Sequence, residues 1–219
     1  MSSEKKPEVM LLIATGCAHC PTVMAHLSTL VKEGSISKLE IINIQQSPEI
    51  AETYNVRSVP WMKLGDYTLT GTHSLEELRQ WIQISKSEDG LQHYIEQQLT
   101  NGELEKIITE IKQYPAWLKT IIDLLESDDT AMQVRLGIDT LIEHMASTDA
   151  GTDMLQSQID KLGKLSQNIH PSRQADIIYY LGLSKSQKAI PYIEKFLQHS
   201  NPDIIEISHD ALEEIKNAE

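Results

Sequence analysis

The chain is short of the residues that build disulfide scaffolds, metal clusters and membrane spans. Among 219 residues there are two cysteines, one phenylalanine and an aromatic share of 5%. Two cysteines cannot form a dense disulfide framework, and a chain of this length buries enough apolar surface to need none. The longest apolar run, Val9 to Ala14, falls far short of the ~20 residues that cross a bilayer. Charged residues precede that run and no small-residue cleavage pattern follows it. The expectation is therefore no signal peptide, a start near Met1 and a cytoplasmic, reducing location. Basic residues are scarce as well: 19 Lys and Arg stand against 32 Asp and Glu, for a net charge of -13. Residues 1–86 hold 9 acidic and 8 basic side chains, and residues 87–219 hold the other 23 and 11. Phosphate backbones and anionic lipids are bound by clustered Lys and Arg. An acidic half without a basic cluster excludes nucleic acid and membrane as expected partners, leaving a solvated acidic face or one that attracts a basic partner. No Gly-rich phosphate loop, no nicotinamide or flavin motif and no Ser-His-Asp arrangement is present, so no cofactor is expected.

What is there begins with Val9-Met10-Leu11-Leu12-Ile13, a continuous apolar run of the kind found in a strand buried on both faces. Thr15-Gly16 breaks it. From Cys20-Pro21, the apolar residues Val23, Met24, Leu27, Leu30 and Val31 recur at helical spacing up to Gly34, with Pro21 suited to a first turn. Leu39 to Ile44 reads as a second strand and Ser47 to Tyr54 as a short helix. Val56 to Leu64 and Tyr67 to Leu69 flank Gly65-Asp66 as a hairpin. Ser74 with Glu77 three residues on forms a capping box, ahead of a helix carrying Leu75, Leu78, Trp81 and Ile82. The predicted order is βαβαββα, with both cysteines at a helix start.

That order, the Cys17-Ala18-His19-Cys20-Pro21 segment after a buried strand, and Val59-Pro60 ahead of a hairpin resemble the thioredoxin superfamily over residues 7–84. The form without a tryptophan before the first cysteine is similar to the glutaredoxin-like domains of archaeal protein disulfide oxidoreductases and peroxiredoxin reductases. The resemblance implies a thiol-disulfide oxidoreductase acting on protein disulfides or dithiols. It further implies a cis bond before Pro60, Val59 as the residue that docks the substrate chain, and Pro60 as the residue that keeps metal off the cysteines.

A helix start favours negative charge through unpaired N–H groups and the helix dipole, so Cys17 is expected to be the exposed, acidified nucleophile. Cys20, one turn on, is expected to resolve the mixed disulfide. His19 has two readings: an imidazole that stabilises the thiolate and makes the pair more oxidising, as the matching His of protein disulfide isomerases implies, or a solvent-facing side chain with little effect. Six residues before the first cysteine, where thioredoxins carry a buried acid, stands Leu11, which weighs against thioredoxin-like turnover. Cys17, His19, Cys20 and His26 could be named as zinc ligands, but adjacent residues 19 and 20 rarely reach one ion and His26 lies two turns away, so no metal is expected.

Beyond residue 87 the pattern is amphipathic helix throughout, in segments near 90–99, 103–112, 116–126, 131–145, 152–168, 173–183, 188–198 and 203–217. The last six, in pairs, begin at 116, 152 and 188, an interval of 36 residues. The segments Ala175–Leu183 and Ala189–Leu197 resemble HEAT-type repeats, which imply a stacked solenoid. The expected organisation is a thioredoxin-like redox domain over 7–86, a helical connector over 87–112 and a HEAT-like repeat domain over 113–219. The helical part admits two readings, a surface that selects a protein partner or a cap that stabilises the redox domain and mediates self-association. The electron donor is left open as another protein or a small thiol. A rival to the enzyme is a redox-inactive or redox-sensing adaptor whose solenoid does the binding.

Overall fold

The computed structural model describes residues 6–218. The chain divides into two compact units, one ending at Tyr94 and the other beginning at Ile95.

The first unit carries β1 (Glu8–Ile13), α1 (Cys20–Lys32), β2 (Lys38–Asn43), α2 (Pro48–Thr53), β3 (Trp61–Leu64), β4 (Tyr67–Thr70), α3 (Leu75–Ile84) and the start of α4 (Gly90–Thr100). Its four-stranded sheet has the order β2-β1-β3-β4. β1 runs parallel to β2, Leu11 opposite Ile41, and antiparallel to β3, Leu12 opposite Trp61. β1 is therefore central, which its apolar run requires: Val9, Leu11 and Leu12 are buried. β2 lies at the sheet edge, so Ile41 stays 39% exposed despite the apolar sequence around it. Helix α1 buries Val23, Leu27 and Leu30, the stripe its periodicity marks. Helix α3 begins with both bonds of its capping box in place: Ser74 N–H donates to Glu77 Oε2 at 2.6 Å and Glu77 N–H to Ser74 Oγ at 3.2 Å. The Ser74 N–H bond, the largest influence on it, holds the Glu77 carboxyl below its usual value.

The unit extends beyond residue 86 to Tyr94. Tyr94, fully buried, stacks on Tyr67 at 4.8 Å, meets Trp81 edge-on at 5.9 Å and donates its hydroxyl to the Thr68 carbonyl at 3.2 Å. Such a cluster, satisfied at its polar tip, anchors the first turns of α4.

The second unit is helical among the described residues. It comprises the rest of α4, then α5 (Leu104–Gln113), α6 (Trp117–Glu126), α7 (Met132–Ala146), α8 (Asp149–Gln156), α9 (Ile159–Asn168), α10 (Pro171–Leu183), α11 (Ile190–Ile193) and α12 (Pro202–Asn217). Two expected helices are broken. The 152–168 segment begins earlier, at Asp149, where the Thr148 side chain accepts the Gly151 N–H, and divides at Ser157, whose hydroxyl donates to the Met154 carbonyl at 2.6 Å. The 188–198 segment is a 3-10 turn, the four-residue α11 and a second 3-10 turn.

Helix α10 packs against α7, α9 and α12. It runs parallel to α7, since Arg173 bonds Asp128 at one end and Tyr179 bonds Glu143 at the other. It also runs parallel to α12, because Gly182 meets Ala211 and Lys185 lies 3.9 Å from Glu214. Ile138, Leu141 and Ile142 of α7, Ile177 and Ile178 of α10 and Ile215 of α12 are buried. No helix among the described residues is long and apolar enough to cross a membrane.

Candidate functional site: a cysteine pair facing a proline loop

The end of β1 is followed by a tight loop. The Cys17 N–H donates to the Ala14 carbonyl at 3.2 Å, and Gly16 takes φ +80°, a backbone conformation that favours glycine. A polar set at the end of the neighbouring strand holds the loop. Asn43 Nδ2 donates to Thr15 Oγ1 at 3.0 Å, and the Thr15 N–H donates to Gln45 Oε1 at 3.3 Å. Asn43 Oδ1 accepts the Gln45 N–H at 3.0 Å. Sequence reasoning passes over these ties; only the Asn43–Gln45 bond is local, an Asn side chain closing a turn on the backbone two residues on.

Cys17 and Cys20 are joined as a disulfide with Cα atoms 5.6 Å apart. Cys20 opens α1 and is buried, at 3% exposure, whereas Cys17 is half-buried in the loop before it. The Cys20 N–H points at the Cys17 sulfur, 3.1 Å away. His19 is exposed at the helix N-cap and its side chain makes no capping bond. Pro21 occupies the first turn, where its missing N–H costs nothing. His26, two turns along, turns its Nδ1 to the His73 carbonyl at 3.0 Å.

Opposite the cysteines, the chain enters β3 through Val59-Pro60, whose peptide bond is cis. The antiparallel β1–β3 pair brings the end of β1 beside the start of β3, so the cysteine loop and the proline loop share one end of the sheet. The Val59 carbonyl oxygen lies 3.9 Å from Cys17 Sγ. Pro60 is buried, and its carbonyl accepts the Gly71 N–H at 2.8 Å, which fixes the loop against the end of β4. Trp61 packs beneath, 6% exposed, with its ring 5.3 Å from that of Tyr54. Leu11, in the middle of β1, is fully buried. Thus Cys17, Cys20, Val59 and Pro60 gather at one place, with His19 at its solvent rim and His26 bonded elsewhere.

The arrangement leaves Cys17 half-buried and Cys20 covered, next to a backbone carbonyl that an extended chain could approach. Such a pair exchanges with outside thiols through its more accessible sulfur. No curated protein matches the chain. Residues 8–83 match the family model described as a thioredoxin domain, a span running from the first residue of β1 to within one residue of the end of α3. The N-terminal unit is therefore a thioredoxin domain with a C-x-x-C cysteine pair, followed in the same chain by a helical region.

Proposed function

We propose that the protein is a thiol-disulfide oxidoreductase of the cytoplasm, acting on protein disulfides or dithiols that its helical region helps to select. In the reducing direction, the Cys17 thiolate attacks one sulfur of a substrate disulfide. A Cys17–substrate disulfide forms, and the other substrate sulfur leaves as a thiolate. Cys20, after giving up its proton, attacks the Cys17 sulfur. The Cys17–Cys20 bond forms, the second substrate sulfur departs, and two electrons have passed from the protein to the substrate. The oxidising direction is the reverse. An external dithiol protein or small thiol restores the reduced pair. Val59 and Pro60 shape the place where the substrate chain lies, and His19 at the rim tunes the pair.

The observation that carries this reading is the unequal burial of the two cysteines beside the Val59 carbonyl. The solenoid reading of the helical region, as HEAT-like repeats, draws support from the parallel, side-by-side course of α7, α10 and α12, the placement that stacked helical hairpins produce. Insulin reduction by the chain and by Cys17→Ser tests the enzyme: turnover well above that of the variant is expected, and equal rates would refute it. A second reading, a redox-sensing or inactive adaptor, is favoured by the fully buried Leu11, which cannot relay a proton to Cys20. The same equality of rates would leave the adaptor standing.

A further inference from the structure

Of the five large apolar side chains left exposed among the described residues, three belong to the helical region and lie on α7 and α10. They are Met132 at 74%, Leu136 at 54% and Tyr179 at 38% exposure. Met132 and Leu136 are four residues apart, one above the other on α7, and Asp139 and Glu143 continue the same stripe. Tyr179 stands beside it, its hydroxyl donating to Glu143 Oε1 at 3.3 Å. From Met132 to Glu143 the stripe runs about 16 Å, or three helical turns.

Carboxylates border the apolar residues. Asp139 accepts the Tyr180 hydroxyl, and Asp176 stands near it on α10. Burial raises both carboxyls above the usual range, and for Asp176 the Asp139 charge adds to the rise. Neighbouring cations are engaged in holding the fold: Arg135 Nη2 donates to the Asp128 carbonyl at 2.8 Å, and Arg173 is bonded to Asp128 and to the end of α6. On the far side Lys185 lies 3.9 Å from Glu214. The face thus combines exposed apolar contact area with carboxylates whose charge would be eased by an incoming cation, within a part of the chain that carries 23 acidic and 11 basic residues.

We propose that this α7–α10 face is a docking site for a basic amphipathic helix of a partner protein, its apolar side chains meeting Met132, Leu136 and Tyr179 and its Lys or Arg residues meeting Asp139, Glu143 and Asp176. The inference rests on the reading that the helical region selects the partner, and it names the surface and the chemistry. An apolar stripe at helical spacing with flanking charge is the mode by which grooves take amphipathic helices.

The test uses the full chain and two labelled peptides of one amphipathic pattern, one of Leu and Lys and one of Leu and Glu, followed by fluorescence anisotropy at physiological salt. The Leu/Lys peptide is expected to bind at least about tenfold tighter than the Leu/Glu peptide. Met132→Ser combined with Leu136→Ser, and separately Glu143→Lys, should each weaken it by about tenfold or more, whereas Glu105→Lys on α5 should change it less than about twofold. The serine substitutions fall on side chains more than half exposed, and far-UV circular dichroism checks that the helices persist. Equal binding of the two peptides, equal loss in Glu105→Lys, or no loss in the serine variant would overturn the proposal. So would sedimentation showing a dimer of the parent chain that the serine variant dissolves, because the occupant would then be a second copy. Insulin reduction should be unchanged in Glu105→Lys. A parent chain that fails to reduce insulin would count against the redox reading alone, since peptide binding is measured without it.

Discussion

The backbone N–H of Cys20 points at the sulfur of Cys17 across 3.1 Å, while the sulfur of Cys20 belongs to a residue only 3% exposed. The two thiols of the reduced protein therefore differ in both access and stabilisation: one is half-buried and supported by a helix N–H, and the other is covered. After reduction, iodoacetamide should modify Cys17 first, by about tenfold or more over Cys20. Mass spectrometry of partly alkylated protein reads this directly. Equal modification of the two cysteines would remove the distinction of roles on which the exchange mechanism depends.

The thioredoxin part of the fold is legible in the sequence because each signal there is local. The β1 apolar run, the Pro21 helix start, the Ser74–Glu77 capping box and the Gly65-Asp66 turn all depend on neighbours within a few residues, and the elements lie within a residue or two of their expected positions except β3, which begins at Trp61 rather than at Val56 because the Val59-Pro60 loop precedes it. The end of that unit is less legible, because Tyr94 is drawn into it by Tyr67, Trp81 and Thr68, which are remote in sequence. Hydrophobic periodicity finds the helices beyond residue 87 but not their breaks. A period of 3.6 runs on across Ser157 and across the 3-10 turns beside α11, and what ends the helix there is a hydroxyl or a local turn bond. At the site, the cysteines and Val59-Pro60 are visible as a motif, whereas the Thr15–Asn43–Gln45 ties join two loops and surface only once the strands are paired. The exposed apolar stripe of α7 is equally invisible: helical spacing alone does not tell whether Met132 and Leu136 are covered.

Arg173 ties the end of α6 to α10. Its Nη1 donates to the Leu125 carbonyl at 2.7 Å and to the Ser127 carbonyl at 3.1 Å, and its Nη2 bonds Asp128. The last carbonyls of a helix have no partner of their own, and Arg173 is 7% exposed, so water has little means of replacing it at the buried Leu125 carbonyl. Arg173→Ala should cost about 1–3 kcal/mol in urea denaturation, since the Leu125 carbonyl loses a charge-assisted bond where it is buried while Ser127 and Asp128 remain open to water. Arg173→Lys should recover only part of this, because an ammonium cannot reproduce the fork that serves three acceptors. A loss under about 0.5 kcal/mol for the alanine variant would show the tie to be ornamental.

Gly182 sets the approach of α10 to α12. A Cβ built there would lie 2.8 Å from both Cα and Cβ of Ala211, closer than real Cβ atoms come, and the nearest atoms include backbone that cannot swing aside. In a helix interior, alanine is preferred over glycine by about 1 kcal/mol, whereas overpacking costs about 1–3 kcal/mol. The two effects oppose, and the contact with backbone decides the sign: Gly182→Ala should lower stability, by up to about 2 kcal/mol. A rise in denaturation midpoint would mean that the helices part without cost.

Asp176 makes a prediction that varies with pH. Its carboxyl is raised above the ordinary 3.8, first by burial and then by the Asp139 charge, with Arg135 and Arg173 opposing. The folded protein therefore holds this proton more firmly than the unfolded chain. Between 3.8 and the raised folded value the native state binds more protons, so stability falls as pH rises through that window and the loss is complete at neutral pH. Asp176→Asn should then melt at a higher temperature than the parent at pH 7, with the difference shrinking on acidification and vanishing below the ordinary carboxylate range. The side chain is partly exposed, so the gain should be small. An unchanged or lower melting temperature at pH 7 would show that the two arginines already neutralise it. If the gain is found, the same substitution should also weaken the Leu/Lys peptide, since a charge held against stability on an exposed apolar face is what a cationic partner would relieve.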